Sequence, residues 1–300
     1  MMVLFKKLER GNLPLFSLMI LFILSSSCTE DVDIDIFESK KQKVLNSLVC
    51  PGKDIRIFLN QTEALSNDSN RLSSIHEIKL YENDKLVETS SVFTEDHYSI
   101  PYSVKNGYAY RCEVRFTDNT MLFCEDTIPE ASPDLIAYYE YPVYRDEFGV
   151  HYGRLNIEFR DISNKRNFYE IAFTDKNFTH LGSFKLTNPV ITVDTEKDPF
   201  ASPVLLFEDD LFQDQSLKMD IYLQVAENPK IILRNVSRHY YEYKKSLYPH
   251  LYTRNTDRES VYEFFKGDPF DLYSNVNGGL GIFASYSERI FDSFDNPIEK

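Results

Sequence analysis

Tryptophan is absent from these 300 residues, which removes the side chain best suited to stacking on sugar rings and leaves a carbohydrate platform without its usual sign. Cysteine is scarce, with four in the chain, and none stands in a C-x-x-C or C-x-x-H spacing, so a cysteine-based metal site lacks its ligand pattern. The six histidines, His76, His97, His151, His180, His239 and His250, are scattered without the i, i+4 pairing of a helical metal site. No G-x-S-x-G elbow occurs, and no cysteine has an identifiable base beside it, so neither form of activated nucleophile is written in the chain. Positive charge is in deficit: 33 Lys and Arg stand against 47 Asp and Glu, a formal charge of −14. A surface this negative repels phosphate backbones, which argues against nucleic acid as a partner and for simple solubility.

The carboxylates themselves single out no site. A glycosidase needs two of them about 5 to 9.5 Å apart, and their abundance makes any one pair unremarkable. The densest run, Glu208-Asp209-Asp210 with Asp214, lacks the D-x-D-x-D-G order and closing Glu of a calcium loop, so it reads as a solvated acidic loop. No catalytic residue, cofactor site or metal site is expected.

What is present begins at the N-terminus. Lys6, Lys7 and Arg10 precede an apolar run, Leu13–Leu24, followed by Ser25-Ser26-Ser27-Cys28 and then Thr29-Glu30-Asp31-Val32-Asp33. The run is too short for a spanning helix, which needs about 20 apolar residues, and no Ala-x-Ala-like site closes it as in a plain secretory signal. The pattern predicts a lipoprotein signal peptide over residues 1–27, with Cys28 acylated by palmitate-type chains that anchor the mature protein to a membrane. Removing the signal takes away three basic side chains and one acidic one, so the formal charge of −14 becomes −16. Residues 28–42, polar and acidic, then form a tether.

Short runs rich in β-branched and aromatic residues follow: Val44–Val49, Asp54–Leu59, Ile75–Tyr81, Lys85–Thr89, Tyr108–Thr117 and Thr120–Ile128. Turn signals separate them, and several alternate apolar with polar residues, the period of a sheet with one face in water. They predict an immunoglobulin- or fibronectin-like sandwich over residues 43–128. Pro129-Glu130-Ala131-Ser132-Pro133 reads as a linker. A second β-rich domain over 134–300 is expected from Leu135–Val143, Arg154–Phe159, Phe168–Thr174, Val190–Val193, Val204–Phe207 and Leu217–Val225. The fold class is thus mostly β, with one helix near 237–252, where Tyr240, Tyr243, Leu247 and Leu251 make one stripe and Pro249 limits or kinks the end. The glycines at 278, 279 and 281 predict a sharp turn and close backbone packing before a last apolar strand.

With Cys28 acylated, three cysteines remain, an odd number. A three-residue loop, Thr117–Asn119, sets Cys112 opposite Cys124 across a hairpin. Two alternatives follow, a disulfide or two free, packed thiols.

The Ser-Ser-Cys28-Thr-Glu signal and its tether, the early strand ending Leu48-Val49-Cys50-Pro51-Gly52, and the hairpin leading to Ile128-Pro129 and Pro133-Asp134-Leu135-Ile136 resemble a known family. So do the tyrosine-rich helix Tyr240–Tyr248 and the closing Asp268-Pro269-Phe270, Ser274-Asn275-Val276 and Gly278-Gly279-Leu280-Gly281-Ile282-Phe283. The family is that of Bacteroidetes outer-membrane lipoproteins catalogued as domain of unknown function 4249. The resemblance implies a location in the outer membrane, a SusC-like TonB-dependent receptor as partner, and no catalytic residues to carry over. The acidic residues after Cys28 resemble a surface-export signal of such lipoproteins, and Asp126-Thr127-Ile128 resembles the phylum's O-glycosylation motif, with Thr127 as acceptor. The expected function is a non-enzymatic accessory or ligand-binding protein of a TonB-dependent transporter, taking a glycan or peptide. A surface hydrolase acting on glycan or peptide and a structural adhesin are the alternatives.

Overall fold

The computed structural model describes residues 41–62, 74–89, 92–93, 97–162, 165–181, 184–186, 204–255 and 271–295. The expected signal peptide, Cys28, most of the expected tether, the expected strand at Val190–Val193 and the Asp268-Pro269-Phe270 segment lie outside the described residues.

The fold is mostly β, as the alternation predicts. In chain order the strands are β1 (Lys43–Val49), β2 (Ile55–Gln61), β3 (Ile75–Glu82), β4 (Lys85–Glu88), β5 (Val92–Phe93), β6 (Tyr98–Ile100), β7 (Ala109–Phe116), β8 (Met121–Thr127) and β9 (Leu135–Arg145). They continue as β10 (His151–Arg160), β11 (Phe168–Thr174), β12 (Phe184–Leu186), β13 (Val204–Glu208), β14 (Ser216–Leu223), β15 (Lys230–Val236), β16 (Leu280–Asp292) and β17 (Phe294–Asp295). Helix α1 (Arg238–Asn255) lies between β15 and β16.

One eight-stranded sheet, β13-β11-β15-β16-β1-β2-β6-β5, serves two smaller sheets, β4-β3-β7-β8 and β12-β14-β10-β9-β17. Strand β16 shows how. Its odd-numbered residues share a face, and along that face Phe283 enters one core while Phe291 packs against another. The first core joins Leu45, Ile55 and Ile57 to Ile78, Leu80, Val114 and Leu122 of the four-stranded sheet. The second joins Tyr169, Ile171, Ile231 and Leu233 to Leu155, Ile157 and Ile221 of the five-stranded sheet. Each core is therefore a two-sheet sandwich.

The 129–133 segment crosses between these cores and is tied to the common sheet. Ser132 Oγ donates to the Ser287 carbonyl at 2.6 Å and accepts from the Asn235 amide at 3.1 Å, while Ser285 Oγ donates to Asp126 at 2.7 Å. Strands from both sides of this segment share the eight-stranded sheet, β1 lying parallel to β16 from Val44 opposite Leu280 to Val49 opposite Ser285. Gly281 makes that pairing feasible: at φ +117° a Cβ there would lie 2.0 Å from the Leu45 carbonyl oxygen, a clash no side chain avoids.

The opposite face of the sheet carries α1. Tyr240 and Tyr241 are buried against Phe168, Leu206, Val236, Ile282 and Ala284, with Tyr243 half-buried beside them. Of the expected stripe, Tyr240 therefore packs as core and Tyr243 in part, while Leu247 is half-buried outside that cluster and the Leu251 side chain lies outside the described residues. Ser237 caps the helix, its hydroxyl accepting the Tyr240 amide at 3.1 Å. The helix continues to Asn255 through Pro249. Proline there removes one amide donor and does not end the helix.

Strand β15 has no counterpart in the alternation, because a central strand covered on both faces has no polar side to alternate. Its sequence, KIILRNV, is buried at every position except the half-buried Lys230 and Arg234.

Candidate functional site

The feature least explained by packing is the arm formed by the ends of β9 and β10. The expected strands Leu135–Val143 and Arg154–Phe159 leave 144–153 as loop, whereas the structure continues both strands around it, pairing Tyr144 with Tyr152 and Arg145 with His151. Between Tyr152 and Arg154 the register shifts, so that Tyr141, Pro142 and Val143 stand opposite Gly153 alone. Such a bulge bends the ribbon and re-aims what lies beyond it. β14 pairs with β10 as far as Gly153, and β17 pairs with β9 at Tyr138 and Tyr139. Beyond those points the two arm strands pair with each other, and no third strand joins them among the described residues.

The tip is ordered by Asp146. Its Oδ1 accepts the amides of Phe148 at 3.0 Å and Val150 at 2.8 Å, and its Oδ2 accepts the Tyr152 hydroxyl at 3.2 Å. The Gly149 amide donates to the Asp146 carbonyl at 3.0 Å, and Gly149 takes φ +84°, a left-handed conformation suited to glycine. Arg145 Nε closes the turn on the Gly149 carbonyl at 3.2 Å. This frame presents Phe148 with 83% of its surface exposed, with Tyr141, Val143, Tyr144 and Val150 each more than a third exposed behind it. The signal in the sequence is Asp146-Glu147-Phe148-Gly149, a turn with aspartate first, glycine last and an aromatic between.

Two polar clusters lie elsewhere. Asp209, at 0% exposure, is buried rather than solvated, which corrects the reading of the 208–214 run at that position, while Asp210 and Asp214 are exposed. Its Oδ2 accepts the Asn167 amide at 2.8 Å and Asn167 Nδ2 at 3.2 Å. Asn167 Nδ2 also reaches Asp161 Oδ1 at 3.3 Å, and Tyr169 donates its hydroxyl to that oxygen at 2.6 Å. Sequence reasoning missed this burial because it depends on Asn167 and Asp161, more than 40 residues away. Burial pushes the Asp209 carboxyl above its ordinary value, with the Asn167 amide opposing and Asp161 reinforcing the shift. Around it, Asp210 is exposed and pairs with Arg166 at 3.2 Å. Among the described residues no group of three or more His, Cys, Asp or Glu side chains is placed to hold a metal ion.

Under α1, Lys53 pairs with Glu288 at 3.0 Å, Arg234 pairs with Glu288 at 2.7 Å and with Glu170, and Tyr240 donates to Glu170 at 2.9 Å. Burial opposes ionisation of Glu288, yet Arg234 and Lys53 hold its carboxyl below the usual range. The alternating charges compensate one another, and the ladder fastens the helix to the sheet.

The expected cysteine pair is in register, Cys112 opposite Cys124, and both are free, fully buried thiols. The Phe116 amide bonds to the Thr120 carbonyl and the Ile128 amide to the Tyr108 carbonyl, so alternation makes Cys112 and Cys124 a hydrogen-bonded pair, the wider of the two antiparallel spacings. Burial pushes the Cys124 thiol well up. Thr127 ends β8 with its side chain exposed, while Asp126 beside it is buried. Burial raises the Asp126 carboxyl, and the hydroxyls of Ser237 and Ser285 oppose that rise. Cys28 lies outside the described residues.

No curated protein matches this sequence. Residues 29–290 match the family model described as Domain of unknown function (DUF4249). That match spans both cores, the arm and nearly all of β16, so the chain belongs to the DUF4249 family.

Proposed function

We propose that this protein is a lipid-anchored binding protein of the bacterial outer membrane that acts, without catalysis, as an accessory partner of a TonB-dependent transporter. The observation that carries the binding reading is the β9–β10 arm, which leaves its sheet and displays a rigid apolar tip that the protein's own core does not use. Large side chains exposed together on an ordered element are the ordinary mark of a contact surface. The anchor rests on the pattern ending at Cys28, where a basic end, a short apolar run and a cysteine after small residues make an address.

The reading is tested in two steps. Metabolic labelling with a palmitate analogue is expected to mark the wild type and not Cys28→Ser. Gentle crosslinking of intact cells followed by affinity isolation from solubilised envelopes is expected to recover a transporter-sized partner identified by mass spectrometry. A freely diffusing protein without lipid, or isolation with no transporter across repeated preparations, overturns it.

A further inference from the structure

We infer that the arm is a docking knob: Phe148, held out by the Asp146 turn, seats in a preformed apolar pocket of another protein. This inference rests on the binding role proposed above and specifies its contact and its mode.

Two observations favour a protein pocket over other occupants. The first is preorganisation. Asp146 accepts two amides and a tyrosine hydroxyl, and Arg145 bonds the Gly149 carbonyl, so the loop is fixed before contact. Rigidity lowers the ordering cost of a shape-specific contact and contributes little to partition into a fluid bilayer. The second is charge. The tip carries Arg145, Asp146, Glu147 and His151, no basic cluster, on a chain of formal charge −14, which disfavours an anionic lipid surface.

Size argues against a symmetric pairing of two arms. Phe148 and the four half-exposed side chains of the arm offer on the order of 500 Å², divided between the two faces of the ribbon because neighbours such as Val143 and Tyr144 point opposite ways, while a standard interface buries about 800 Å² on each partner. A single aromatic seated in a pocket and ringed by weaker contacts suits that area as a hot spot within a larger interface.

The test places a photoreactive benzophenone amino acid at position 148 of the full-length chain in its native cells, with the same probe at Leu211, another exposed apolar position at 63%, as control. The expected result is one protein adduct from position 148, mapped by mass spectrometry to apolar residues of the partner and absent from the Leu211 probe. In addition, Phe148→Ala is expected to reduce recovery of that partner about tenfold and Phe148→Leu to retain most of it, with thermal midpoints unchanged. Adducts confined to lipid, adducts between two copies of this chain, no adduct, or equal recovery with Phe148→Ala each overturn the inference. Recovery of a transporter that is indifferent to Phe148 sinks the knob and leaves the proposed function standing. A mapped partner that is not a transporter does the reverse.

Discussion

Asp209 is fully buried, and its Oδ1 has no hydrogen-bond partner among the described residues. A buried acceptor without a donor costs about 1–3 kcal/mol, more when ionised. Since the folded carboxyl titrates above its ordinary value, the native state binds more protons than the unfolded chain in the window that starts near the ordinary aspartate range and extends upward. Stability falls as pH rises through that window, and the penalty is complete above the folded value. We therefore expect Asp209→Asn to be more stable than wild type by about 1 kcal/mol at pH 7, with the gap shrinking toward pH 3. Urea midpoints at the two pH values measure it, and an equal gap at both would remove Asp209 as the source. The cysteines give a second expectation. Cys50, Cys112 and Cys124 should resist a maleimide in the native state and should all label in denaturant without reductant, which intact mass resolves. The facing of Cys112 and Cys124 was legible from the loop between Phe116 and Thr120. The burial of Asp209 was not, because it depends on contacts between distant loops that periodicity does not encode.

At the scale of elements, Ser237 and Gly281 hold more than their size suggests. The Ser237 hydroxyl caps α1 and also bonds to Asp126, so Ser237→Ala is expected to cost about 1–2 kcal/mol, read as a lowered thermal midpoint. Gly281→Ala would set a methyl group against the Leu45 carbonyl, and a loss of about 3 kcal/mol or more is expected as the β1–β16 pairing is displaced. Strands with one wet face, such as β7 with its alternating burial, were plain in the sequence. β15 was hidden by burial on both faces. The extension of β9 past Val143 and of β10 back to His151 was hidden by the bulge opposite Gly153, which shifts the register and breaks the alternation between those ends and the rest of each strand. The arm's turn chemistry was in the sequence, but whether Phe148 lay inside or outside could be decided only by knowing where β14 stops.

For the whole molecule, the first core draws Val276 and Phe283 from the far end of the chain. A fragment ending at residue 133 lacks both, together with β16, one of the two strands that β1 pairs with, and is expected to remain unfolded. Chemical-shift dispersion in a heteronuclear NMR spectrum decides the point, a folded fragment being the contrary result. Because β16 serves both cores, the full chain is expected to unfold in one transition, with near- and far-ultraviolet circular dichroism coinciding.

The parallel pairing of Val44 with Leu280 has a consequence in time. The two residues are separated by most of the polypeptide, so the central sheet closes only after nearly all of it has emerged from the ribosome. A first strand that must wait for a partner so far along the chain leaves the common sheet open through most of synthesis, a state that suits passage of that segment through a narrow channel.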